Sequence, residues 1–135
     1  MGNLNDICEG VLKDVNDALA MAVVDLNSGL LLSVAHNVPY FSQSYIDAVA
    51  AAAVDMFRGK TVQTVEKLLT AQRGTEVTKS IKEVQMSTDG TYHFMSIVPD
   101  RPDALAVLIT TKGANLGMGW AALRGALPEI REFCP

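Results

Sequence analysis

Two histidines, two cysteines, one glycine-rich string and a cluster of lysines are the residues whose types could serve a reaction or hold a ligand. His36 and His93 have no carboxylate or cysteine at ligand spacing beside them, so the pattern of a metal site is missing. His93 stands between Tyr92 and Phe94 and is expected on the opposite face of a strand from both, as a buried or rim histidine. The string Lys112-Gly113-Ala114-Asn115-Leu116-Gly117-Met118-Gly119 precedes a helical pattern, and free N–H groups at a helix start attract anions. Its spacing disagrees with a phosphate cradle. Three residues separate Gly113 from Gly117, where a P-loop has four, and Trp120 and Ala121 follow Gly119 in place of Lys and Ser or Thr. Gly117 and Gly119 are instead expected to let the last helix pack tightly on a sheet. No Gly-x-Ser-x-Gly elbow occurs, and neither cysteine has a histidine nearby in sequence. No catalytic residue, metal ligand or cofactor is therefore expected.

Cys8 and Cys134 lie near opposite ends of the chain, on elements expected to cover the same sheet face. Free thiols are the expectation for a protein of the cytoplasm. Charge is segregated along the sequence. Residues 1–57 carry seven acids against Lys13 alone, residues 58–82 carry six bases against Glu66 and Glu76, and the whole chain has a net charge of −4. An acidic chain whose basic stretch contains no aromatic residue argues against nucleic acid as the ligand. The basic stretch reads as a solvated face or as a patch for an acidic partner protein.

These residues need a scaffold, and the composition bounds it. The 135 residues are 49% hydrophobic and 19% charged, with a mean hydropathy of +0.20, which suits one domain, 1–135, with a core of its own. The apolar runs 18–24, 48–54 and 104–109 are far short of the roughly 20 residues of a membrane span. Met1-Gly2-Asn3-Leu4-Asn5-Asp6 places no basic segment before an apolar one, so no secretory signal is expected and the cytoplasm is the expected compartment.

Leu4, Ile7, Cys8, Val11, Leu12 and Val15 recur at spacings of three and four, which predicts an amphipathic first helix. The run 20–26, the turn Asn27-Ser28-Gly29 and the run 30–35 predict a hairpin with Gly29 at positive φ and a first strand covered on both faces. After a loop from His36 to Tyr40, a helix begins near Ser42, with Ser44 and Asp47 at capping-box spacing, and continues as one long, bent element to Gly74. Strands are expected over 76–86, 91–98 and 104–111, separated by Ser87-Thr88-Asp89-Gly90 and Pro99-Asp100-Arg101-Pro102-Asp103. A last helix carries Leu116, Trp120, Leu123, Leu127 and Ile130 on one face, with its final turn loosened by Pro128. The result is an α+β fold with a five-stranded, mainly antiparallel sheet.

The string Ala22-Val23-Val24-Asp25-Leu26-Asn27-Ser28-Gly29-Leu30-Leu31-Leu32, the long Ala-rich helix, and Leu105-Ala106-Val107-Leu108-Ile109 leading into Gly113-Ala114-Asn115-Leu116-Gly117 together resemble the Roadblock/dynein light chain family. The resemblance implies the long helix on one face of the sheet and the terminal helices on the other. It also implies a non-catalytic protein that dimerises through its third strand and long helix, as an adaptor or regulator of a Ras-like small GTPase or as a light chain on dynein. Ala52, Met56 and Phe57 on the helix, with Ile81 and Val84 on the strand, are the candidate dimer seam. Lys60, Lys67, Lys79 and Lys82 are the candidate partner-binding residues. The loop from His36 to Phe41 departs from the family pattern. Two alternatives stand beside the adaptor. A small-molecule-sensing domain would show a sizeable apolar pocket near Tyr40, Phe41 or Trp120. An enzyme would need a cleft joining His36 or His93 to an acid.

Overall fold

The structure, a computed structural model, describes residues 3–135. Met1 and Gly2, where the expectation about a secretory signal begins, lie outside the described residues. The elements run α1 (Leu4–Asp14), β1 (Ala18–Asp25), β2 (Leu31–His36), α2 (Gln43–Arg58), α3 (Lys60–Arg73), β3 (Glu83–Ser87), β4 (Thr91–Val98), β5 (Arg101–Thr111) and α4 (Leu116–Phe133). The five strands form one sheet in the order β2-β1-β5-β4-β3, and every pairing is antiparallel.

Side chains alternate across the central strands and divide the core in two. Ala104, Ala106 and Leu108 of β5 face α1 and α4, where they pack with Met21, Phe94, Leu123 and Ile130. Leu105, Val107 and Ile109 face the other way, toward Ala50, Ala53 and Phe57 of α2. The terminal helices thus share one face and α2 takes the other, as the sequence resemblance implied. Cys8 and Cys134 belong to the α1/α4 layer, both buried and both free. Asn3, Leu4, Phe133 and Pro135 border one shallow surface depression with Leu32, so the two ends of the described chain lie together beside β2.

Local sequence explains the boundaries. Asn3 caps α1 by accepting the Asp6 N–H at 2.9 Å. Gly29 has a φ of +75°, and Asp25 fastens the turn before it: its carbonyl accepts the Gly29 N–H at 2.8 Å and its carboxylate accepts the Ser28 hydroxyl at 2.6 Å. Asn115, within the glycine-rich string, caps α4 by accepting the Met118 N–H at 3.2 Å.

Several expectations needed correction. Ser42, not Ser44, caps α2, accepting the Tyr45 N–H at 3.1 Å. The long helix is broken rather than bent: Gly59 is extended (φ −63°, ψ 163°), capping α2 at its end and opening α3. That backbone suits any residue, so conformational freedom is not the reason for glycine. A Cβ there would run into the Asp55 carbonyl. β5 begins at Arg101, leaving Pro99-Asp100 as a two-residue turn with Asp100 at φ 60°. Pro102 is accommodated because the register slips between Ile97 and Val98, and it has no ladder partner there. Pro128 lies within α4, five residues before its end at Phe133, on the exposed side of the helix. Of the two glycines expected to bring α4 onto the sheet, only Gly119 does so. A Cβ on it would strike the Phe94 ring, whereas one on Gly117 would meet only the Asn115 side chain.

Candidate functional site

The third strand is much shorter than the 76–86 run predicted. Residues 74–82 are held against α3 instead. Glu66, 6% exposed, accepts both the Ser80 N–H at 2.8 Å and the Ser80 hydroxyl at 2.6 Å. Four residues on, the Thr70 hydroxyl accepts the Val77 N–H at 2.8 Å. Those N–H groups are therefore unavailable to a ladder, and Lys79 at φ 48° interrupts any extended run. The Ser80 hydrogen bonds hold the Glu66 carboxyl below the usual range for glutamate.

β3 is left as a five-residue strand at the edge of the sheet, pairing only with β4 among the described residues. One face of it carries Val84 and Met86 toward the α2 side, and the other carries Glu83, which binds Arg124 of α4 through two hydrogen bonds of 2.9 and 3.1 Å. Val84 and Ile81 pack at the margin of the α2 core, though Ile81 precedes the strand rather than lying on it. Ala52 is exposed and Met56 half-buried, both on α2. Phe57 is 1% exposed and packs against the sheet of its own chain, so it supports this region from beneath.

The four lysines divide as well. Lys60 and Lys67 stand two turns apart on one face of α3, exposed, and Lys82 is exposed just before β3. Lys79 is engaged: its Nζ lies 3.1 Å from Asp103, which also receives the Asn27 amide at 3.0 Å and lies 3.7 Å from Arg58. Those partners, Lys79 first, hold the Asp103 carboxyl below its ordinary value. The Asp25–Gly29 turn, the start of β5 and the approach to β3 are thereby tied at one corner.

A second feature was only partly foreseen. Between α2 and the sheet lies a cavity of about 520 Å3, walled by Val24 and Val107 from the strands and by Val49 and Ala53 from the helix, with Phe41 and Tyr45 at one side. The Phe41 ring packs at a tilt against Tyr45, 4.7 Å between centroids, and against His36 at 5.5 Å, so the unusual 36–41 loop closes over this end of α2. His93 lines the cavity, on the opposite face from Tyr92 and Phe94 as predicted, and burial pushes its imidazole pKa down. Its Nε2 lies 3.0 Å from the Thr91 hydroxyl. His36 accepts the Val38 N–H through Nδ1. Among the described residues neither histidine is bonded to an acid, and no three His, Cys, Asp or Glu side chains gather as a metal site would require. Likewise, no described helix is long and apolar enough to cross a membrane.

Neither the protein-family models nor the curated protein sequences give a match to this chain. Solved structures do. The chain is similar to a Roadblock/LC7 domain from Streptomyces avermitilis, with a TM-score of 0.70 and 15% identity over 98% of both chains. It is similar to MglB of Myxococcus xanthus at a TM-score of 0.68 and 21% identity, covering 96% of this chain and 93% of that one. An MglB structure with a tetrameric arrangement gives a TM-score of 0.71 at 17% identity, over 95% of this chain and 85% of that one. The protein has the Roadblock/LC7 fold.

Proposed function

We propose that this chain is a non-catalytic homodimeric adaptor that binds and regulates a Ras-like small GTPase. The observation that carries the reading is the match, over nearly the whole chain, to Roadblock/LC7 and MglB structures, one of them in a tetrameric arrangement. The β3 edge supports self-association, because a strand with one unpaired side beside apolar residues invites pairing with a second copy. Ala52 and Met56 of α2, with Ile81 and Val84, form the seam, and Phe57 braces it from within. Lys60, Lys67 and Lys82 steer an acidic partner surface, while Lys79 contributes less because Asp103 already holds it. The two free, buried thiols suit a cytoplasmic setting.

Light scattering on the purified chain and binding to a Ras-like GTPase from the same organism test this. A dimer at tens of micromolar, and association that weakens as salt rises, are the expected results. Lys60→Glu with Lys67→Glu and Lys82→Glu should slow association about tenfold or more without unfolding the protein, since exposed charges contribute little to stability. A monomer refutes the seam, and a dimer indifferent to every such GTPase refutes the partner.

A further inference from the structure

The cavity between α2 and the sheet asks for an occupant. Its volume of about 520 Å3 falls within the range of small-molecule sites, and it opens to solvent beside the exposed Tyr45, Ala52 and Gly90. The walls are apolar and give water little to bind, so an apolar occupant would gain the hydrophobic free energy of the surface it covers. The inner wall is made of residues already under a tenth exposed, such as Val24, Val107 and Ala53. The space therefore reaches beneath α2, behind the surface the helix offers to a second copy.

The chemistry of the lining selects the ligand. Among the described residues no Asp, Glu, Lys or Arg side chain lines the cavity, so a charged head group there would find no ionic partner. Polar atoms gather at one end, where Thr88 bonds Thr91 and Thr91 bonds His93. His93 is 7% exposed, and among the described residues its Nδ1 has no hydrogen-bond partner. The Thr91 hydroxyl can give or take the proton at Nε2, so Nδ1 can serve as acceptor or donor, and a hydroxyl group can answer either. We propose that this cavity binds a neutral, mostly hydrocarbon molecule with one hydrogen-bonding group, its chain along the α2 side and its head on His93. A long-chain alcohol is the simplest member of the class. This goes beyond the adaptor reading and stands without it. Ala52 and Met56 belong to both the cavity wall and the proposed seam, so ligand and dimer would bias one another.

The test uses the full chain with the neutral fluorophore N-phenyl-1-naphthylamine as probe, displaced by 1-decanol, decanoate or decyltrimethylammonium, with light scattering on the same samples. Saturable probe binding at one site per chain is expected, with decanol displacing it at least tenfold more effectively than either charged analogue. Ala22→Phe should abolish probe binding by filling the cavity, and Val49→Phe serves the same purpose if the first variant does not fold. His93→Leu should weaken decanol about fivefold relative to the probe, the effect of one lost hydrogen bond. Absence of saturable binding, equal displacement by the charged analogues, or binding untouched by folded Ala22→Phe or Val49→Phe protein would overturn the proposal. A monomer that binds decanol refutes the seam alone. A dimer that binds no probe shows the space filled by the partner chain and overturns the ligand site alone.

Discussion

Replacing Gly119 by alanine and, separately, Gly125 by alanine makes the same chemical change twice in one helix, with opposite expected signs. Alanine is favoured over glycine in a helix interior by about 1 kcal/mol. At Gly125 no atom of the described residues beyond its own helix backbone lies within 4 Å of the added Cβ, so that gain should appear in full. At Gly119 the Cβ would sit 2.7 and 2.9 Å from the two Cε atoms of Phe94, and closer still to Cζ. The ring has little room to retreat, because it is fully buried and Trp120 packs edge-on against it at 5.4 Å. Overpacking of this kind costs about 1–3 kcal/mol, and three clashing ring atoms put the cost at the upper end. The net loss is about 2 kcal/mol for Gly119→Ala against a gain of about 1 for Gly125→Ala. At roughly 4 °C per kcal/mol for a domain of this size, Tm should fall by about 8 °C in the first and rise by about 4 °C in the second. Calorimetry reads both. Adding Phe94→Leu to Gly119→Ala should recover part of the loss, a coupling visible in a double-mutant cycle. Equal Tm shifts for the two glycine variants would refute the claim that Gly119 sets the distance between α4 and the sheet.

Glu66→Gln should lower stability by about 1–2 kcal/mol at pH 7 in urea melts. Because the folded carboxyl has the depressed pKa, its contribution is complete above the ordinary glutamate value near 4.3 and is lost as pH falls through the lower folded value, so the gap from wild type should narrow as the solution is acidified. A thiol reagent should find two free cysteines after denaturation and react slowly before it, since burial raises both thiol pKa values; either Cys→Ala change should cost about 1–2 kcal/mol. Ile81→Glu should weaken the proposed dimer at least tenfold in a dilution series followed by light scattering, by placing a charge in the proposed seam. Ser42→Ala should cost about 1 kcal/mol in a thermal melt by uncapping α2, where Ser44→Ala should cost little.

Where one residue's neighbours along the chain decide its structure, the sequence was legible. The continuous apolar run 20–26 indicated a strand with two buried faces, Asn27-Ser28-Gly29 indicated its turn, and His93 fell on the face opposite its aromatic neighbours. Distant partners defeated the reading elsewhere. Nothing near residues 76–82 announces that Glu66 and Thr70 will capture their N–H groups, so an extended, β-branched run passed for a strand. Gly59 looked tolerable within a helix, because the obstacle to a Cβ is the Asp55 carbonyl a turn earlier. For the candidate site, exposure could not be read from residue type: Phe57 is apolar and on the expected helix, yet it faces inward, and Lys79 is charged yet already paired. The possibility of an apolar pocket near Phe41 was open in the sequence, but its volume depends on how far α2 stands from the sheet.

The adjacency of the chain's two ends beside β2 has a practical meaning for attachment. β2 and β3 are opposite margins of a five-stranded sheet, four inter-strand steps or about 19 Å apart at ~4.8 Å per step. A label, linker or fused protein at either end would project from the margin remote from β3. In a pair joined at β3, the two sets of ends would stand nine steps apart, about 43 Å, at the outer limits of a ten-stranded platform. Fluorophores placed there would report assembly by distance while touching neither the seam nor the lysines of α3, and cargo tethered there would be held apart rather than brought together.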